Sequence, residues 1–141
     1  MPTSAHDQRP IGITALSAFS TVAAVIALTS AVSLLWPDGP LEVIWRLNPR
    51  AWRAFSRMGP WAIVLLGTVS FASVLCATGL WKGREWGRRL ALAGLAVNAL
   101  GDMTNAIVGR DPRTLVGVPV AAVFIAYLVS PRVARYFSSG G

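Results

Sequence analysis

The residue types on which most catalytic and metal centres depend are nearly absent from this chain. Its 141 residues include one histidine, His6, and one cysteine, Cys76. A single cysteine cannot form a disulfide within the chain, and a single histidine outside the apolar segments disfavours an imidazole-ligated haem or metal centre. Paired carboxylates, a Ser-His-Asp set and a phosphate-cradling glycine motif are also missing. We therefore expect a protein that is not an enzyme and has no metal or cofactor.

Charged residues are also scarce, and their balance is strongly basic. Only 13% of the residues are charged, with 13 Lys or Arg against 6 Asp or Glu, whereas 54% are hydrophobic. The mean hydropathy of +0.55 is too high for an ordinary soluble domain of this length. Because the basic residues fall between apolar segments, the net charge of +7 predicts anchoring to anionic lipid headgroups and not nucleic-acid binding.

The chain contains long apolar runs, each with the length of about 20 residues that a helix needs to cross a bilayer. The predicted spans cover residues 11–36, 61–81, 86–108 and 113–130. Pro119 predicts a kink in the fourth span, and residues 132–137 predict a basic and aromatic border beyond it. We predict one all-α domain over residues 1–141. It is a polytopic membrane protein, a four-transmembrane-helix bundle with a short interfacial amphipathic helix.

The interfacial helix is predicted in the longest connection between spans. Asn48 and Pro49 indicate its start, and Gly59 with Pro60 its end, which gives a helix over residues 49–58. One face is basic and the other apolar, so the helix is expected to lie in the headgroup plane. Two interpretations are open: the segment only anchors the bundle, or it docks a partner or an anionic lipid. The docking candidates are Trp45, Arg46, Arg50, Trp52, Arg53, Phe55 and Arg57.

The third span combines small residues with polar ones at helical spacing. Small residues let another helix approach closely, and amides can form hydrogen bonds across the contact. We therefore expect this span to face the bundle or a partner and not lipid. A second stripe, of serines and alanines, runs through residues 17–31 of the first span and predicts helix packing there. In the third span, the predicted packing residues are Gly87, Ala91, Gly94 and Gly101, and the predicted intramembrane polar cluster is Asn98, Asp102 and Asn105.

Asp102 is the one acidic residue within a predicted span. A carboxylate at membrane depth is costly and marks a candidate functional site. In a structural interpretation it forms hydrogen bonds with Asn98, Asn105, a hydroxyl of a neighbouring span or an arginine of the turn at residues 110–113. In a functional interpretation it titrates, or binds a cation, in a polar path that opens towards that turn.

The basic residues give little direction for the membrane orientation. Seven of them fall on the side of the two termini and six on the other side, so a dual topology is an alternative to a single orientation. The tight connection at residues 82–89 is dense in positive charge, which favours cytoplasmic termini. We expect a multi-pass protein of a bacterial inner membrane.

Three short motifs in the C-terminal half carry a resemblance to a known group of proteins. They are Gly79-Leu80-Trp81, Trp86-Gly87-Arg88-Arg89 and Tyr127-Leu128-Val129-Ser130-Pro131-Arg132-Val133. This pattern resembles that of small, uncharacterised four-span bacterial membrane proteins, and it implies no activity. Small four-span drug exporters carry a glutamate in the first span. Residues 11–36 of this chain have no acidic residue, so that function is not carried over.

These features predict a non-catalytic integral membrane protein, an accessory subunit that packs against partner subunits in a larger membrane complex. The alternative is a small transporter or channel that acts as a homo-oligomer and uses Asp102 for proton or cation coupling. A membrane enzyme acting on lipids ranks last, because no nucleophile or base other than Asp102 is visible.

Overall fold

A computed structural model describes residues 9–108 and 112–138 of the chain. Within these ranges the secondary structure is entirely helical, as the sequence predicts. It comprises the α-helices α1 (Ile11–Leu35), α2 (Val43–Leu47), α3 (Pro49–Met58), α4 (Pro60–Trp81), α5 (Glu85–Val108), α6 (Gly117–Val129) and α7 (Pro131–Ser138), with 3-10 turns at Pro40–Glu42 and Pro112–Val116.

Three of the described helices are long and apolar enough to cross a membrane. They are α1 and α4, each with a mean hydropathy of 2.1, and α5, with a mean hydropathy of 1.3. The shorter α6 and α7 form a fourth candidate span as a pair bent by 57°. By helix length and hydropathy the chain is therefore a multi-pass membrane protein, and the prediction of an all-α, multi-span fold is confirmed.

The fourth span differs from the prediction in where the chain bends. The helix α6 starts at Gly117, after a 3-10 turn, so Pro119 lies in its first turn, where a proline lacks no helical hydrogen bond. The bend falls instead between α6 and α7, where Ser130 is extended (φ −55°, ψ 142°) and Pro131 begins the next helix. The predicted border at residues 132–137 is thus part of an amphipathic helix, with Val133 and Phe137 buried.

The contacts group the described chain into two compact units, and Leu16–Ala77 forms one of them. In this unit the serine and alanine stripe of α1 is buried against α4. The Ser17 hydroxyl donates to the carbonyl oxygen of Ala77 at 3.0 Å, and the Ser70 hydroxyl donates to that of Ala24 at 2.9 Å. Small side chains let the two helices approach until hydroxyls reach the neighbouring backbone.

Residues 9–15, 78–108 and 112–138 belong to the other unit, which is organised by the tight turn between α4 and α5. The Arg84 N–H donates to the Gly79 carbonyl (2.9 Å) and the Gly83 N–H to that of Leu80 (3.1 Å). This is a Schellman motif, and Gly83 adopts the positive φ of 64° that the motif requires. The turn brings Gly79 against Gly87, where a Cβ added to Gly87 would lie 2.6 Å from the Gly79 Cα.

We expect the substitution Gly87→Ala to lower the thermal stability of the purified protein in detergent. The new Cβ would overlap backbone atoms of α4, which cannot move aside as a side chain can, and overpacking of this kind costs about 1–3 kcal/mol. Gly94→Ala is the matched control, because it lies on the same helix and a Cβ there meets nothing within 4 Å. Equal melting temperatures for the two variants would contradict the backbone contact.

Candidate functional site

The helix α5, which carries the predicted polar cluster, is the least covered of the three long helices. Only 6% of its most apolar 18-residue window is buried, compared with 33% for the windows of α1 and α4. The predicted packing residues divide along its length. Gly87 and Ala91 are buried, whereas Gly94 and Gly101 are exposed, with nothing within 4 Å of an added Cβ. The stripe is therefore packed in its first half and open in its second.

The polar cluster lies on the open half of α5. Asn98 and Asn105 are exposed, and Asp102 is half-buried. The Asn98 side-chain amide donates to the Asp102 carboxylate at 3.3 Å. A carboxylate oxygen of Asp102 also lies against Gly117, where an added Cβ would overlap it. Asp102 thus packs on the start of α6, at a glycine that carries no signal in the sequence. Arg110, a predicted partner of Asp102 in the turn, lies outside the described residues.

Three aromatic side chains hold α3 near the C-terminal end of α1. Trp45 of α2 is buried, and its indole N–H donates to the Ser33 hydroxyl at 2.9 Å. Its ring centroid lies 5.3 Å from that of Trp52 and 6.0 Å from that of Phe55. These aromatic docking candidates therefore pack within the chain, and they hold the apolar face of α3 in place.

The basic docking candidates do not pack within the chain as the aromatic ones do, but form an exposed surface. We call it the arginine face. Residues 43–60 contain four arginines and no acidic residue, so this stretch is strongly basic. The surface can attract phosphate or carboxylate groups, for which guanidinium is well suited. The arginine face comprises Arg46, Arg50, Arg53 and Arg57.

The three C-terminal motifs of the sequence meet at one end of their unit, where Arg88 joins two helices. Its guanidinium donates to the two carboxylate oxygens of Glu85 at 2.7 and 2.9 Å. A third bond, of 3.1 Å, goes to the Leu128 carbonyl at the end of α6, where a cation is favoured by the helix dipole. Gly83 also lies against the Tyr136 ring of α7. These contacts fasten helix ends, so the motif residues have structural roles here.

Arg9 performs a similar task at the end of α4. Its guanidinium donates to the Trp81 carbonyl at 2.7 Å and lies 4.1 Å from the centroid of the Trp81 ring.

The buried Cys76 accepts a long contact of 3.5 Å from the Ser20 hydroxyl. Over residues 9–108 and 112–138, no group of three His, Cys, Asp or Glu side chains could hold a metal ion.

Comparison with known proteins adds no relative. No protein-family model, curated protein or solved structure matches the chain. The resemblance of its motifs to those of small four-span bacterial membrane proteins therefore stays a prediction.

We expect Arg88→Gln to destabilise the protein by about 1–3 kcal/mol, because hydrogen bonds that involve a charged group are lost at a half-buried position. Arg89→Gln is the control. Its side chain is 77% exposed and makes a single contact of 3.3 Å with Glu85, whereas the Arg88 side chain is 18% exposed. Thermal unfolding in detergent measures both variants. A loss of stability in Arg89→Gln as large as that in Arg88→Gln would contradict the role of Arg88.

We expect Trp45→Phe to loosen α3, because the bond to Ser33 is lost and about 1 kcal/mol of stability is lost with it. Local opening would then be about fivefold more populated, and trypsin would cleave faster at Arg50, Arg53 and Arg57. Trp61→Phe serves as the control, since Trp61 is largely exposed at the start of α4. Unchanged cleavage rates in Trp45→Phe would show that Trp45 does not hold α3.

Proposed function

We propose that this protein is a non-catalytic subunit of a larger membrane complex, and that the open half of α5 contacts a membrane helix of a partner subunit. One observation carries the proposal. α5 is a candidate membrane span that is almost uncovered, and its open half carries the exposed amides of Asn98 and Asn105 beside the half-buried Asp102.

Lipid hydrocarbon cannot satisfy the polar side chains on the open half of α5. The hydrocarbon of a bilayer offers no hydrogen-bond partner, so an amide exposed to it costs free energy that a neighbouring helix can recover. Such a helix can supply carbonyl oxygens and side-chain donors to Asn98 and Asn105. Gly94 and Gly101 add no side-chain bulk, so they permit its backbone to come close.

The two other long helices provide a comparison. Their buried hydroxyls are satisfied inside their own unit, as the bonds from Ser17 and Ser70 illustrate. The exposed hydroxyl of Thr68 donates to the Val64 carbonyl of the same helix, which removes the need for an outside partner. Among the three described spans, the exposed side-chain amides occur on α5 alone. This difference supports α5, and not α1 or α4, as the subunit contact.

Site-specific photocrosslinking in native membranes tests the contact directly. A benzophenone side chain at Val97, which is 70% exposed and shares the face of Gly94 and Gly101, should give a protein adduct of defined mass. The control position is Val25 of α1, which is 59% exposed and carries no neighbouring amide. Equal protein adducts at both positions, or none at either, would contradict the proposal. An adduct consisting only of two copies of this chain would replace the larger complex by a homo-oligomer.

We expect the double substitution Asn98→Leu with Asn105→Leu to release the partner while the isolated chain keeps its stability. Both side chains are exposed, so their replacement removes hydrogen bonds to the partner without opening a cavity in the chain. Within the described part of the chain it removes only the long 3.3 Å bond from Asn98 to Asp102, at an exposed position. Native mass spectrometry after mild extraction measures partner retention, and the melting temperature of the purified chain verifies folding. A variant that keeps its partner in full would show that the amides do not form the contact.

The alternative of coupled transport is tested with the purified chain alone in proteoliposomes. As a non-catalytic subunit, the chain and its Asp102→Asn variant should give the same background flux of protons and monovalent cations. A flux that is present in the wild type and lost in Asp102→Asn would overturn the subunit proposal and establish a transporter or channel.

A further inference from the structure

An apolar groove of ≈ 430 Å³ opens beside α3 in the Leu16–Ala77 unit. This volume lies within the range of about 300–1,000 Å³ that is usual for small-molecule pockets. One wall is a row of α1 residues that includes Phe19, Val22 and Ile26. The other wall comes from the connection between α1 and α4, with Trp45, Ala51 and Phe55 among its members.

The groove follows α1 from near its C-terminal end towards its middle. It is lined from Ser30, one turn before the Trp45–Ser33 bond, back to Phe19. The 11 steps along the helix from Phe19 to Ser30 correspond to about 16 Å, roughly half of the 30 Å hydrocarbon core. The groove therefore has the direction and length of a lipid acyl chain that enters the membrane from its surface.

Two arginines are direct sequence neighbours of residues in the wall that the connection forms. Arg46 directly follows the wall residue Trp45, and Arg50 directly precedes the wall residue Ala51. Each of these Cα atoms is thus about 3.8 Å from a residue of the wall. The surrounding stretch has no acidic residue between residues 43 and 60. An apolar slot with exposed arginines next to its wall residues complements a molecule that has an acyl chain and a negative head.

The groove is too small to enclose a whole partner helix. An α-helix is about 10–12 Å across, so a segment 16 Å long would occupy roughly 1,200 Å³ or more, well above the volume of the groove. An acyl chain is a single methylene wide and needs no hydrogen-bond partner. The nearly apolar wall offers such a chain what it needs.

We propose that this groove is a binding site for one anionic phospholipid, with an acyl chain along α1 between Ser30 and Phe19 and the phosphate on Arg46 and Arg50. The site is independent of the subunit contact on α5. It selects anionic over zwitterionic lipid through the arginines, and it selects one molecule over the surrounding lipid shell through the groove.

Lipid titration followed by native mass spectrometry of the purified full-length chain tests the head-group part. Phosphatidylglycerol should be retained as one molecule per chain at concentrations at which phosphatidylcholine with the same acyl chains is not. Arg46→Gln with Arg50→Gln should weaken phosphatidylglycerol retention roughly tenfold or more. The control, Lys82→Gln with Arg84→Gln, removes the same charge from the exposed turn between α4 and α5 and should retain the lipid as the wild type does.

A matched pair of alanine substitutions tests the acyl-chain part. Ala51→Phe places a ring in the groove and should weaken retention of phosphatidylglycerol roughly tenfold. Ala54→Phe adds the same ring on the same helix at an exposed position outside the groove, and retention should not change. Melting temperatures of both variants show whether each is folded, and the arginine pair tests the site even if Ala51→Phe does not fold.

Three results would overturn the proposal. The first is equal retention of phosphatidylglycerol and phosphatidylcholine by the wild type. The second is equal loss of lipid from the arginine pair and from its lysine and arginine control. The third is a protein partner or second copy that Ala51→Phe releases while lipid retention is unchanged, because the groove would then hold a polypeptide.

Discussion

A bilayer provides no water to satisfy polar groups, and this constraint explains where the polar side chains of the long helices lie. Within the Leu16–Ala77 unit, Ser17 and Ser70 donate to backbone carbonyls of the facing helix. Thr21 and Thr29 donate to the carbonyl four residues earlier in their own helix. Both arrangements require only a hydroxyl group, which donates a single hydrogen bond. An amide has two protons and an acceptor, so Asn98 and Asn105 are harder to satisfy within a single helix.

Close contact between helices depends on the absence of side chains at a few positions. Gly79 and Gly87 meet backbone to backbone, and the alanines and serines of α1 have the same effect more weakly. The two short amphipathic helices rely on another principle, since a proline begins each and an aromatic side chain anchors it. In α3 the anchor is Phe55 against Trp45, and in α7 it is the buried Phe137, while the arginines of both helices point outward.

The sequence predicted the elements whose signal is contained in one segment. Hydropathy and length placed the helices α1, α4 and α5, and the Asn48-Pro49 start and Gly59-Pro60 end placed α3. The Asn48 side chain accepts a hydrogen bond from the Ala51 N–H, as an N-cap does. The pattern does not predict the helix α7, because Pro131 follows an apolar run, and a proline there can end one helix or take the first position of the next. Which of these two roles a proline takes depends on the residues C-terminal to it.

The sites were less predictable, because they depend on which helix crosses which. Periodicity places Gly87, Gly94 and Gly101 on one stripe, but it cannot say that only the first is covered. The contact between Asp102 and Gly117 joins two elements across a turn and has no local signal. The same holds for Trp45, whose partner Ser33 belongs to a different helix.

The two open surfaces of the chain require different chemistry from whatever covers them. The amides of Asn98 and Asn105 lie within the length of a candidate span, so their cover must offer donors and acceptors in a setting without water. The arginine face lies on the same segment as a mostly apolar groove, so a ligand that covers both would combine negative charge with hydrocarbon. A polypeptide helix can meet the first demand, and a phospholipid can meet the second. These two demands are the physical basis of the proposals made above, a subunit contact on α5 and a phospholipid beside α3.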